Sequence, residues 1–165
     1  MEKVFISLIK THRGIIYKVC NLYLKDAEDK KDLFQEIVLQ LWRSFPSFKN
    51  ESQSSTWMYR VALNTAISNF RKESKRPERR SILDEDFQIP DFSDDHQTEH
   101  LGILNQAIKQ LNEIEKAIIM LYLDEKNYEE IAEITGITKN NVGVKLNRIK
   151  IKLEKIIKVS NHDVR

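Results

Sequence analysis

Residues 128–153 read YEEIAEITGITKNNVGVKLNRIKIKL, and this stretch decides the fold. Its spacing is that of a helix-turn-helix ending in a basic helix. Ala132 stands four residues before Gly136, and Val142 six residues after it. A small residue lets two helices cross closely, a glycine permits the turn, and an apolar residue anchors the second helix. Asn127 and Glu130 form an N-x-x-E start signal for the first helix, and Thr138 is placed to cap the second. Val142, Leu146, Ile149, Leu153 and Ile156 recur at helical spacing and are expected to face a core. Lys139, Asn140, Asn141, Lys145, Asn147, Arg148, Lys150 and Lys152 are left as a polar, basic face. That face points to DNA. The alternative is a solvated face on a purely structural helical hairpin.

The rest of the chain sets the bounds. Its 165 residues allow one domain or two small ones. Four glycines and three prolines are few, and Leu, Ile, Lys and Glu dominate, which favours an all-α protein. No apolar run is long enough for a membrane span, and the N-terminus lacks a signal-peptide pattern. A single cysteine, Cys20, excludes an internal disulfide and a cysteine-based zinc site. It lies in the apolar run 15–20 and is expected to be a buried thiol. A reducing, cytoplasmic compartment fits these features. His12, His96, His100 and His162 are scattered, no metal or nucleophile spacing occurs, and no cofactor or enzymatic activity is expected.

Net charge is only +2, but the charges are segregated. Residues 71–80, RKESKRPERR, hold six basic and two acidic side chains. Residues 84–100, DEDFQIPDFSDDHQTEH, hold seven acidic side chains and no Lys or Arg. Residues 139–158 hold seven basic and one acidic. Two basic zones around an acidic one imply two nucleic-acid-facing modules and a linker; the alternative is plain solvation.

Periodicity divides the chain the same way. Residues 4–24 read as one or two helices, and 25–31 as a charged break. Residues 32–44 read as a strong helix with an apolar stripe of Leu33, Phe34, Ile37, Val38, Leu41 and Trp42. Pro46 ends it. Residues 49–55 form a polar loop, and 56–71 a further helix with Trp57, Val61, Ala62 and Phe70 on or near the core side. Residues 72–100 show no sustained period and read as a flexible acidic linker. Helices follow over 101–111 and from Asn112 to Leu123. Asn112 and Glu115 repeat the N-x-x-E start.

Two surfaces in the N-terminal half stand out. The stripe on the 32–44 helix leaves Asp32, Gln35, Glu36, Leu39, Gln40 and Arg43 outside, and an exposed leucine among acids suits a helical partner. On the next helix Arg60, Asn64 and Arg71 fall near one face. Trp57 and Tyr59 lie at its start, beside the polar loop. Spacing leaves two readings open for these rings: platforms for single-stranded bases, or core and rim of a small bundle.

The run 32–72, DLFQEIVLQLWRSFPSFKNESQSSTWMYRVALNTAISNFRK, resembles region 2 of bacterial sigma factors of the extracytoplasmic-function type. Asp32-Leu33-x-Gln35-Glu36, Trp42, Phe48, Thr56-Trp57, Tyr59-Arg60-x-Ala62-x-Asn64 and Arg71 fall at that family's spacing. The run 111–153 resembles region 4, with LNEIEKAIIMLYLDEKNYEEIAEITGIT close throughout. The extra regions of housekeeping sigma factors are absent, which fits this compact class.

The resemblance implies two small helical domains, region 2 over 1–72 and region 4 over 101–165, joined by a linker over 73–100. It implies a promoter-specificity subunit that binds core RNA polymerase, recognises the −10 and −35 elements and helps melt the duplex. Asp32, Gln35, Glu36 and Leu39 match the surface that docks on the clamp helices of the polymerase's largest subunit. Region 4 is expected at the flap of the second subunit. Asn64 matches the contact to a base flipped from the −10 element, and Phe48, Lys49 and Asn50 match the wall of its pocket. Trp57, Tyr59, Arg60 and Arg71 complete the −10 set, the arginines as phosphate contacts. Lys139, Asn140, Asn141, Lys145, Arg148 and Lys150 are the −35 set, with Asn suited to adenine and Arg or Lys to guanine or phosphate. The acidic linker would thread channels that otherwise hold nucleic acid. An anti-sigma partner, often membrane-anchored in the family, is implied too.

This chain departs from its relatives at 140–145, NNVGVK, where many carry a Gly-Thr-Val-Lys-Ser-Arg-like run. Gly143 costs about 1 kcal/mol relative to Ala in a helix, and either permits close backbone approach to DNA or is merely tolerated. The rival functions are a conventional regulator that binds duplex DNA through the C-terminal module, and a helical adaptor without a nucleic-acid role.

Overall fold

The computed structural model describes residues 1–48, 53–73 and 99–163. Among these, all regular structure is helical, and the chain divides into two compact units, Met1–Phe92 and Ser93–Arg165. Apart from Glu73 and residues 99–100, which are helical, the expected linker lies outside the described residues.

The first unit is a three-helix bundle. Helix α1, Glu2–Tyr23, buries Phe5, Ile16, Val19, Cys20 and Tyr23. Helix α2, Ala27–Ser44, buries Leu33, Ile37 and Leu41, one residue per turn along one line. It starts five residues before the expected Asp32, so the charged break shrinks to residues 24–26. Glu28 and Asp29 sit in its first turn, where they favour the helix dipole, and Arg43 sits in its last. A single 3₁₀ turn, Phe45–Ser47, carries Pro46 and closes with the Phe48 N–H on the Phe45 carbonyl at 3.0 Å. Helix α3, Ser54–Glu73, packs on both others and buries Trp57, Met58, Tyr59, Ala62, Leu63 and Ala66.

Aromatic rings fasten the end where α1 begins and α2 finishes. Phe5 meets Trp42 edge-on at 4.9 Å and Phe45 at 5.3 Å. Phe45 lies 6.2 Å from Trp57, whose other neighbour, Phe48, stacks on it at 4.5 Å. Such pairs add stabilisation beyond the area they bury. Trp42 departs from its expected core position: it is 42% exposed, resting against Phe5. Phe70 departs likewise, leaning on Tyr23 with much of its ring in solvent.

The second unit has an aliphatic core. Helices α4 (Glu99–Ile108), α5 (Glu113–Leu123) and α6 (Tyr128–Thr135) all lie against the long α7, Lys139–Asp163. Ile118, Leu121, Ile131, Val142, Leu146 and Ile149 are fully or almost fully enclosed. Leu153 continues the stripe, whereas Ile156, expected with it, is only half-buried.

Local chemistry marks each boundary of this unit. Asn112 and Asn127 form complete capping boxes: their side chains accept from the N–H of Glu115 and Glu130, each at 2.8 Å, and those glutamates accept in return. The Thr138 hydroxyl accepts from the Asn141 N–H at 3.2 Å and caps α7. Helix α5 ends in a Schellman motif, with the Lys126 N–H on the Leu121 carbonyl and the Glu125 N–H on that of Tyr122. That motif needs a left-handed residue, and Glu125 takes it at φ 63°. Helix α6 ends on Gly136 at φ 80°, the same conformation without the steric cost.

Candidate nucleic-acid and protein interfaces

On α2 the expected partner surface proves to be two surfaces. Gln35 and Leu39 line a wide apolar groove of about 660 Å³ with Phe5, Ile6, Val38 and Trp42. Leu39 is 41% exposed. Asp32 and Glu36 turn the other way, into a narrower polar cleft of about 230 Å³ shared with Asp29, Asn69 and Phe70. The Glu36 carboxylate also accepts from the Gln40 amide at 2.9 Å. One helix therefore presents an apolar site and an acidic site side by side.

On α3 the sequence-predicted residues separate into surface and core. Arg60, Asn64 and Arg71 are exposed, and helical spacing puts them near one face. Tyr59 is 1% exposed and Trp57 8%. Both rings lie in the core of the bundle, the second of the two positions that spacing left open. Phe45 and Phe48 are the half-buried rings at this corner, and Phe48 is backed by Trp57. Lys49 and Asn50 lie outside the described residues.

In the second unit the helix-turn-helix is α6 and the start of α7. Asn140, Asn141, Val144, Asn147 and Arg148 are exposed, and Lys145 is half-buried on the flank. Lys139 ion-pairs with Glu129 of α6 at 3.2 Å, with both side chains largely in solvent, so the pair contributes little. Lys150 is drawn back towards α5: its ammonium lies over the Tyr122 ring at 4.4 Å and donates to the Tyr122 hydroxyl at 3.2 Å. It stands apart from the face that carries Asn140 and Arg148. Lys152 is tied to α5 as well, through Glu115 at 3.0 Å. Burial alone raises the Glu115 carboxyl, but the Asn112 N–H, Lys152 and the charge of Lys145 together hold it below its ordinary 4.5.

Two residues on this surface escaped the sequence reading. The ring of Tyr128, the first residue of α6, lies over Gly143, where a Cβ would meet its edge at 3.4 Å. Gly143 therefore faces a tyrosine of the neighbouring helix. The second residue is Val144, 49% exposed among polar neighbours. Its signal was available: it lies one turn from both Asn140 and Arg148.

Among the described residues no cluster of His, Cys, Asp or Glu is placed to hold a metal ion, and no helix is long and apolar enough to cross a membrane.

A helical bundle followed by a capped helix-turn-helix defines a DNA-binding protein with a second, separate interaction unit. Comparison with known proteins sharpens that class. Residues 8–76 match the sigma-70 region 2 family, and residues 101–153 match sigma-70 region 4. The chain is 30% identical over 149 residues to the RNA polymerase sigma factor SigV of Bacillus subtilis, covering 89% of this chain and 87% of that one. It is 28% identical to the ECF RNA polymerase sigma-E factor of Haemophilus influenzae, covering 81% and 76%. The sigma factor RpoE of Bartonella quintana, solved with the anti-sigma factor NepR, superposes with a TM-score of 0.68 over 96% of both chains at 17% identity. This chain belongs to the sigma-70 family, in its extracytoplasmic-function branch. It is a promoter-specificity subunit of bacterial RNA polymerase.

Proposed function

We propose that the two units grip a promoter at two points, with the duties divided as the side chains are. The observation that carries this is that each unit holds its own exposed amide-and-arginine face on a rigid helix: Arg60, Asn64 and Arg71 on α3, and Asn140, Asn141 and Arg148 on α7. On α3, Asn64 takes the edge of a base flipped from the −10 element, Phe48 walls the pocket with Trp57 behind it, and the arginines hold phosphates. Lys49 and Asn50 belong to the same set. On α7, the paired asparagines and Arg148 read the −35 major groove, while Lys139 and Lys145 supply backbone charge beside them and Lys150 does so from the flank, on leaving Tyr122.

The groove with Gln35 and Leu39 takes the polymerase clamp helices, and the cleft with Asp32 and Glu36 takes their basic side chains. The second unit meets the flap. The domains run over 1–72 and 101–165 with 73–100 between them. The protein performs no chemistry itself and works in the cytoplasm. An anti-sigma protein silences it by covering the groove on α2 or the reading face of α7.

Run-off transcription with bacterial core polymerase tests this. The chain added to core is expected to start transcripts at defined sites, and failure to bind core removes the reading. Leu39→Asp is expected to lower core affinity about tenfold or more, as loss of a central anchor does. Asn64→Ala is expected to leave core binding intact and reduce promoter opening.

A further inference from the structure

We infer that Val144 reads a thymine methyl group in the −35 element, so that part of this protein's promoter preference is apolar. The inference rests on α7 being the −35 reader.

Three observations carry it. First, Val144 lies opposite the buried line of Val142, Leu146, Ile149 and Leu153, at the crest of α7, and is 49% exposed. Second, Asn140 stands one turn before it and Arg148 one turn after, both exposed, so the valine is the centre of a polar row. A helix seated in the major groove by those two residues brings the isopropyl group to the groove floor. Third, its neighbour Gly143 has no side chain, and the Tyr128 ring covers the glycine, leaving the valine open.

The groove offers one apolar feature, the C5-methyl of thymine, and apolar side chains recognise it by contact. Asparagine recognises the N6 and N7 atoms of adenine. Asn140, Asn141 and Val144 together therefore fit an A·T-rich stretch, with Arg148 towards a guanine or a phosphate.

The test uses holoenzyme reconstituted from the full chain and bacterial core polymerase, on promoter duplexes with a randomised −35 region. The native protein is expected to enrich thymine at one position. Val144→Ser is expected to reduce that enrichment about fourfold, the loss of one buried methyl contact, and to leave the other positions unchanged. In the best element, replacing that thymine by uracil removes only the methyl. It is expected to lower open-complex formation about fourfold with the native protein and to change nothing with Val144→Ser.

Equal activity on thymine and uracil duplexes, with the −35 preference otherwise intact, overturns the methyl contact alone. A native protein without any −35 preference overturns the reading beneath it as well. If Val144→Ser instead weakens core binding, the valine belongs to a protein contact and the inference fails.

Discussion

The two units begin their helices by different means. In the second unit Asn112, Asn127 and Thr138 each place a side-chain oxygen on an early backbone N–H. In the first, neither Met1 nor Asp26 makes a side-chain cap bond, and α1 and α2 are held by rings and aliphatics from elsewhere in the bundle. At these starts local chemistry fixes the helices of the aliphatic unit, and tertiary packing those of the unit with large rings. The difference reaches the functional surfaces. The exposed polar face of α7 is aimed by a capped turn, whereas the apolar groove on α2 is walled by the same aromatic cluster that closes the bundle.

If that contrast holds, truncating a packed ring should be the most damaging change. Tyr59→Ala is expected to cost about 3–5 kcal/mol, measured by denaturant unfolding of the whole chain. A value near 1 kcal/mol would mean that the first unit does not depend on its rings. The next effects are conformational and local. Gly136→Ala forces an alanine into the left-handed region and is expected to cost about 1–2 kcal/mol. The reverse exchange, Glu125→Gly, is expected to stabilise by up to about 1 kcal/mol in the same assay, because Glu125 already bears that cost.

Asn127→Ala is expected to cost about 1 kcal/mol by removing the cap of α6. No loss would break the distinction between the units. The smallest effect is electrostatic. Glu115 is held below its ordinary 4.5, so its share of stability is present above that value and lost as pH falls through the lowered one. Carboxyl titration by NMR is expected to place its midpoint below 4.5, and Lys152→Met to move it back upward.

The same contrast explains what could be read without coordinates. The starts of α5 and α6 were legible because Asn-x-x-Glu is a local signal with a local cause. The start of α2 was not. Ala27 to Lys31 holds no large apolar residue, so the stretch read as a charged break, although all five residues are helical. Trp57 and Tyr59 could not be assigned because a ring at the start of a helix fits core and rim alike; both are buried, and Phe48 stacks on Trp57. Asp32, Gln35, Glu36 and Leu39 read as one outer face, but neighbours on α1 and α3 divide that face into a groove and a cleft. The cover of Gly143 by Tyr128 depends on how α6 crosses α7, which no spacing within either helix reveals.

Cys20 is fully enclosed between the helices of the first unit, and burial pushes its thiol up to about 12, with Lys30 lowering it slightly. A thiol that is both protonated and out of reach does not compete for alkylating dyes. The natural chain is therefore already a silent background for single-site labelling. A cysteine introduced at an exposed position of α3 or α7 can carry a fluorophore without removing the native one, and slow labelling of Cys20 itself would time the opening of the bundle.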